Sequence, residues 1–320
     1  MQFVILGLVV SIGLGLYLYP LMIENLNSMN VQQQVSEYAL DAFKDKQKTP
    51  TFGGLLFVAL PIIIIVVFRG FSFSTDLALL VFVYGAHGVL GFVDDYKIVK
   101  DGKNDGISPR VKLFGQILIA FVFYGVYILS GGTNELVIPL INVSVSSWMV
   151  YCPLVIFMIV GTSNGVNLTD GMDGLAGGTV LIALLPFAYF AYIDGRMDIL
   201  LFISTVVGSL IAFLVFNKKP ARIFMGDVGS LALGALLASL AILLNRELLL
   251  IIIGFVFVFE TLCVIIQQIS WRTRKKRVFR YTPIHYSFTL SGWKEQDVVN
   301  MFYVMGVIAL ILGLLVSMFV

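Results

Sequence analysis

Five carboxylates, Asp94, Asp95, Asp170, Asp173 and Asp227, stand where long apolar runs give way to polar sequence. Their contexts are GFVDDYKIVKDG, NGVNLTDGMDGLAGG and FNKKPARIFMGDVGSLALG: adjacent acids followed by bases, two acids three apart, and one acid between glycines. Asp170 and Asp173 would share one face of a helix that began there. Glycines let a ligand approach the backbone, and a helix start at Asp227 would offer free N–H groups to phosphate oxygens. Hard divalent cations such as Mg²⁺ take one or two carboxylates together with substrate phosphates. The chemistry that suits these residues is therefore cation-assisted handling of phosphates. Any one such Asp reads equally well as a helix cap. Five in loops on one face are a different matter, because an Asp at the bilayer centre costs roughly 2.5 to 3.5 kcal/mol and a wet interfacial cleft explains them better.

A membrane must position these acids. The chain is 59% hydrophobic and 12% charged, far from the quarter charged of a soluble domain. Its apolar residues fall in runs of roughly 17 to 24, enough to cross about 30 Å of hydrocarbon as helices. Ten runs, near residues 2–23, 52–68, 77–93, 113–130, 147–163, 174–193, 199–216, 229–244, 247–270 and 301–320, predict an all-α integral membrane protein with about ten transmembrane helices, a single polytopic domain over 1–320. The first run is longer than a signal peptide's apolar core and lacks a basic start and a cleavage site, so it reads as a permanent span. Of the 21 Lys and Arg, all but Arg69, Arg196 and Arg246 fall in loops after odd-numbered runs. Basic loops stay cytoplasmic, which puts both termini outside, the acids on the cytoplasmic side, and a basic rim there suited to anionic headgroups and phosphorylated substrates.

Smaller features fit this frame. The segment ELVIPLINVSVS, rich in β-branched residues and broken by Pro139 and Asn142, predicts a short outward β-hairpin. Cys152 and Cys263 fall inside apolar runs as small core residues, with no disulfide expected. His87 and Glu260 are intramembrane ionisable groups, read first as paired with neighbouring helices. WRTRKKRVFR reads as a solvated inner rim whose interleaved Trp271, Val278 and Phe279 also suit a cytoplasmic interfacial helix that collects anionic membrane lipid.

The strings KQKTPTFGG at 46–54, DDYK at 94–97, NGVNLTDGMDGLAGG at 164–178, FMGDVGSLALG at 224–234, ETLCVIIQ at 260–267 and PIHYSFTLSGWKE at 283–295 together resemble the polyprenyl-phosphate N-acetylhexosamine-1-phosphate transferase family. PIH…GWKE points to its muramoyl branch. The resemblance covers about residues 44–300. It implies an enzyme of the bacterial inner membrane, active on the cytoplasmic side. Such an enzyme moves phospho-N-acetylmuramoyl-pentapeptide from its UDP carrier to undecaprenyl phosphate, with Mg²⁺ as cofactor and UMP as product. It further implies a homodimer and no nucleic-acid partner. On matching motifs, Asp227 would hold the metal, Asp94 would deprotonate the lipid phosphate with Asp95 as its pair, and His285 would act at the same site. Asn167, Asp170 and Asp173 would line the pocket, Phe224 would stack on uracil, and Asn217 and Gln267 would lie close to substrate. Lys46 and Thr51 of the TPTxGG loop, with Lys97 and Lys112, would face phosphate. These roles fit a reaction between two anionic groups, in which cations must neutralise charge and hold the partners in line. Direct attack by the lipid phosphate and attack through an aspartyl phosphate both suit the residues.

Two departures stand out. The family's usual Lys after the acid pair is replaced by Ile98, with Lys97 one place earlier, and the branch's run of three histidines is here His285, Tyr286 and Ser287. A sibling transferring N-acetylglucosamine-1-phosphate is the nearest alternative. From a different class, an ion-coupled transporter would place its acids near the bilayer midplane on broken helices.

Overall fold

The computed structural model describes residues 1–29, 31, 49–70, 72–102, 105–138 and 143–319. Nine of their helices are long and apolar enough to cross a membrane: α1 (Gln2–Ser28), α3 (Thr75–Asp101), α4 (Pro109–Leu129), α5 (Trp148–Thr169), α6 (Leu175–Ile193), α7 (Met197–Asn217), α8 (Gly226–Leu243), α10 (Phe255–Arg274) and α12 (Glu295–Ser317). A tenth apolar helix, α2 (Gly53–Arg69), has 17 residues. Two short helices, α9 (Leu249–Ile253) and α11 (Ile284–Leu290), and a hairpin complete the described fold. In the hairpin β1 (Glu135–Ile138) pairs antiparallel with β2 (Val143–Ser146), Glu135 opposite Ser146, as the β-branched segment predicts.

Helix α8 is the axis of the bundle, and every residue from Val228 to Leu243 is buried. Its composition explains this. Gly, Ala and Ser at half of its positions let neighbouring backbones approach closely, while its Leu, Ile and Val side chains pack into the surrounding helices. A Cβ on Gly91 of α3 would lie 2.2 Å from the Asp227 carbonyl oxygen, and one on Gly54 of α2 would lie 2.3 Å from the Gly229 nitrogen. Because backbone cannot yield as a flexible side chain does, Gly91→Ala should part α3 from α8 and cost about 1–3 kcal/mol. A lower thermal midpoint in detergent, with activity falling alongside it, is the expected result.

The loops at the hairpin end carry Arg69, Arg196 and Arg246, and each faces an acid. Arg69 pairs with Asp198 and Arg196 with Asp76, while Arg246 lies 3.8 Å from Asp194. Those three cations are thus matched locally, whereas the remaining basic residues among those described gather at the opposite end.

The structure redraws several predicted boundaries. Helix α3 continues past the apolar run to Asp101 and stops at Gly102, in the left-handed conformation at φ 61°. Asp94 and Asp95 therefore sit on a helix rather than in a loop, because the end of an apolar run marks the edge of the hydrocarbon and not the end of hydrogen bonding. Asp170 and Asp173 lie in the turn between α5 and α6, which starts only at Leu175. The ninth run is divided at Gly254 into α9 and α10. WRTRKKRVFR is helical only through Arg274. Lys275 turns left-handed at φ 52°, and the Gln267 amide oxygen then accepts the Val278 and Phe279 N–H groups at 3.0 Å each, folding the segment back on α10.

Candidate active site

Asp227 occupies the first turn of α8, where a carboxylate complements the helix N-terminus. Its Oδ1 accepts from Asn167 Nδ2 on α5 at 2.7 Å, and the same amide donates to Ser230 Oγ at 2.9 Å. Its Oδ2 is ion-paired with Lys112 Nζ, which lies 3.4 Å from Asp94 Oδ2. Lys112 is fixed there by the start of α4, where Ser108 Oγ caps the Val111 N–H and Pro109 takes a position that needs no donor. Asp94 Oδ1 accepts the Ile107 N–H at 2.7 Å. One ammonium group thus bridges two carboxylates from different helices.

The neighbouring acid does different work. Asp95 is buried, and its Oδ2 accepts the Val228 N–H at 3.1 Å, so it braces the start of α8 against α3. Gly226, at φ 73°, permits this approach, since a Cβ there would lie 2.4 Å from Asp95 Oδ2. Beside it, Gly53 N–H donates to the Phe224 carbonyl, Gly54 N–H to that of Met225, and Phe224 N–H to that of Pro50, each at 2.8 Å. This backbone ladder seats Thr51 and Phe224 next to Gly226 and Asp95.

A second group adjoins it across the α5–α6 turn. Asp173 Oδ2 accepts the Ala221 N–H at 3.1 Å, and its own N–H donates to Glu295, which binds Lys219 Nζ at 2.7 Å. Asn217 spends both ends of its amide, accepting from Gly174 N–H at 3.0 Å and donating to the Ile223 carbonyl at 2.8 Å. Tyr286 donates to the Gly171 carbonyl at 3.1 Å. Burial first, and then the Asp170 carboxylate, push its phenol well above its ordinary pKa.

His285 is fully buried on α11, its Nδ1 2.8 Å from Glu260 Oε1, and Glu260 also accepts the Ile284 and His285 backbone N–H groups at 2.8 and 3.3 Å. His285 Nε2 has no partner among the described residues and lies against Gly171, where a Cβ would come within 2.3 Å of it. Glu260 is thus paired, as expected of an intramembrane acid, and its partner is the short helix that carries the site histidine. His87 differs from expectation: Nδ1 lies 3.0 Å from the Val83 carbonyl of its own helix rather than on a neighbouring one.

The structure brings together Asp94, Lys112, Asn167 and Asp227, backs them with Asp95, Thr51 and Phe224, and sets Asp170 and His285 against the Gly171 turn. Lys97 instead donates to the Gly106 carbonyl at 2.9 Å and pins the loop before α4. Gln267 uses its oxygen to hold the segment after α10, and Lys46 lies outside the described residues. The five acids are not one ligand set. Among the described residues no three or more acids, imidazoles or thiols are grouped to hold a metal. The physical reason is that Lys112 already bridges Asp94 and Asp227, while Asp95 and Asp173 are turned onto backbone N–H groups. Sequence reasoning missed Lys219, Glu295, Tyr286 and Ser230, whose partners lie far along the chain.

A bundle of apolar helices ending in a lysine bridged by two carboxylates defines an integral-membrane enzyme built to handle anionic groups. A glycosyl transferase family 4 model matches residues 77–245. The chain is 43% identical over 322 residues to a phospho-N-acetylmuramoyl-pentapeptide-transferase of Geobacillus sp. (strain WCH70), covering 100% of this chain and 99% of that one. It is 42% identical over 317 residues to the protein of that name from Bacillus subtilis (strain 168), covering 98% and 96%. The chain belongs to glycosyl transferase family 4, and within it aligns from end to end with the phospho-N-acetylmuramoyl-pentapeptide transferases.

Proposed function

We propose that the chain transfers phospho-N-acetylmuramoyl-pentapeptide from its UDP carrier to undecaprenyl phosphate, forming lipid I and UMP for peptidoglycan synthesis in the bacterial inner membrane. The observation that carries the reading is the Lys112 bridge between Asp94 and Asp227, to which both anionic substrates must come. An oxygen of the lipid phosphate attacks the phosphorus next to the sugar, the P–O bond to the uridylate breaks, and UMP leaves. A phosphate monoester has its second pKa near 6 and is largely a dianion at neutral pH. Asp94 therefore positions more than it deprotonates. The carboxylates are held by ammonium and backbone N–H groups, which suits direct attack better than an aspartyl phosphate.

Mg²⁺ fits this donor set without needing a cage, because it commonly takes one or two carboxylates and fills its shell with phosphate and water. Asp227, part-exposed and already facing a cation, would hold it, with Asp94 beside it. When bound, the ion would neutralise charge on the diphosphate and the departing UMP. An apolar cavity of about 300 Å³ between α5, α9 and α10, lined by Leu154, Met158, Gly165, Leu250 and Phe257, extends along α5 as far as Gly165 and suits a prenyl chain. The break at Gly254 forms part of its wall. The concentration of described basic residues at the active-site end supports a cytoplasmic position for it, and the family resemblance supports a homodimer.

The test is transfer in detergent with undecaprenyl phosphate and either the muramoyl-pentapeptide or the N-acetylglucosamine UDP donor, each with and without Mg²⁺. We expect Mg²⁺-dependent UMP release from the muramoyl donor alone. Release only from the glucosamine donor would assign the sibling reaction, and release from neither would sink the enzymatic reading.

A further inference from the structure

The segment after α10 folds into something other than a rim. It encloses a pocket of about 330 Å³ lined by Trp271, Arg272, Arg277, Arg280, Tyr281 and Gln267. The fold of the segment converges these arginines: Gln267 anchors the Val278 and Phe279 N–H groups, and Arg277 Nη1 donates to the Arg280 carbonyl at 3.1 Å. Among the described residues, none of the three guanidinium groups is in an ion pair, whereas Arg69, Arg196 and Arg246 at the hairpin end each face an acid. Three arginines line one concavity with no acid among the described residues to meet them, a setting suited to an anion.

We propose that this pocket binds the carboxylates of the donor's peptide. The inference rests on the peptidyl donor of the proposed function, since any pentapeptide with a free end carries at least one carboxylate. A guanidinium presents its donors as a planar fork that matches a carboxylate in two parallel hydrogen bonds. Side-chain contacts link the pocket to the site. Tyr281 meets Tyr286 edge-on, ring centroids 5.6 Å apart, and Tyr286 donates to the Gly171 carbonyl beside Asp170. The length fits as well. Trp271 lies about 16 Å beyond Glu260 along α10 at the helical rise of about 1.5 Å per residue, and five residues of extended peptide span about 16–18 Å. A lipid headgroup is the weaker occupant, because a lipid-collecting segment lies flat as an amphipathic helix. Here residues 275–283 are not helical, and their arginines line a concavity.

Steady-state transfer by the full-length protein, in detergent and in phosphatidylglycerol-containing vesicles, tests this with two donors: the native muramoyl-pentapeptide donor and one whose peptide carboxylates are converted to amides. The wild type should show a KM about tenfold higher for the amidated donor, with kcat kept. Arg272→Gln with Arg277→Gln should raise the native donor's KM by a similar factor and abolish the preference. Arg280 is left in place because it also donates to the Leu290 carbonyl and Ser291 Oγ at 3.3 Å each. Equal KM values for the two donors with the wild type would overturn the inference without any variant. So would a variant effect that is equal for both donors, or one that emerges only in phosphatidylglycerol vesicles, which would make this a lipid site. Absence of wild-type turnover of the native donor would remove the functional reading and this inference with it, whereas turnover without preference removes the inference alone.

Discussion

Asp227→Asn should lower transfer by about three orders of magnitude while leaving the fold intact. The substitution keeps the shape and removes the charge, so the hydrogen-bond pattern decides the outcome. Oδ1 of Asp227 accepts from Asn167 and Oδ2 faces Lys112, and both of those groups only donate at these contacts. An asparagine has one accepting oxygen and must set its NH₂ against either the Asn167 amide or the Lys112 ammonium, in either rotamer. Lys112 is then left with Asp94 alone, 3.4 Å away. Loss of one preorganised electrostatic group in an active site costs about 10²–10³ in rate, and here the same carboxylate is the proposed metal ligand. Stability should change little, by under about 1 kcal/mol, because the side chain is 21% exposed and the lost helix-end interaction is of that size. UMP release and the thermal midpoint of the same preparation check both halves, with Glu135→Gln on the hairpin as a control that should behave as wild type. Retention of a tenth or more of the activity by Asp227→Asn would remove Asp227 from the centre of the site.

The sequence makes the spans and the acids legible for one reason: both are local. Apolar runs report the hydrocarbon thickness directly, and nine of the ten correspond to single helices with only their ends displaced, while the ninth run is broken at Gly254. The acids stand in strings with glycine and asparagine neighbours, which single them out before any fold is known. Their division of labour is not legible, because it depends on which helix each one faces. Asp94 and Asp95 are adjacent in sequence yet point to Lys112 and to the Val228 N–H respectively. Asn217 appears suited to substrate until Gly174 and Ile223 take both ends of its amide. The arginines after α10 read as a helix because their spacing is close to amphipathic, but two backbone N–H groups captured by Gln267 hold that segment in another path.

Glu260→Ala should destabilise the protein by about 3–5 kcal/mol and displace His285 from the site. Glu260 and His285 are both fully buried. The carboxylate accepts from the His285 ring and from two backbone N–H groups at the start of α11, so the alanine leaves three buried donors without a partner. An unsatisfied buried donor costs about 1–3 kcal/mol, and breaking one side of a buried pair commonly costs 3–5 kcal/mol in all. Helix α11 has only seven residues and cannot hold its position by its own hydrogen bonds. The loss should therefore appear there first, as faster hydrogen exchange across residues 284–290, and Tyr286 should release the Gly171 carbonyl. Glu260→Gln separates shape from charge. Its oxygen replaces one acceptor, but its NH₂ then faces a donor, so its stability should fall between wild type and alanine. A purely packing role for Glu260 predicts instead that glutamine matches wild type, and that outcome would uncouple this carboxylate from the placing of His285. Activity should follow the same order, because Nε2 of His285 reaches the Gly171 turn only while Nδ1 is held at Glu260.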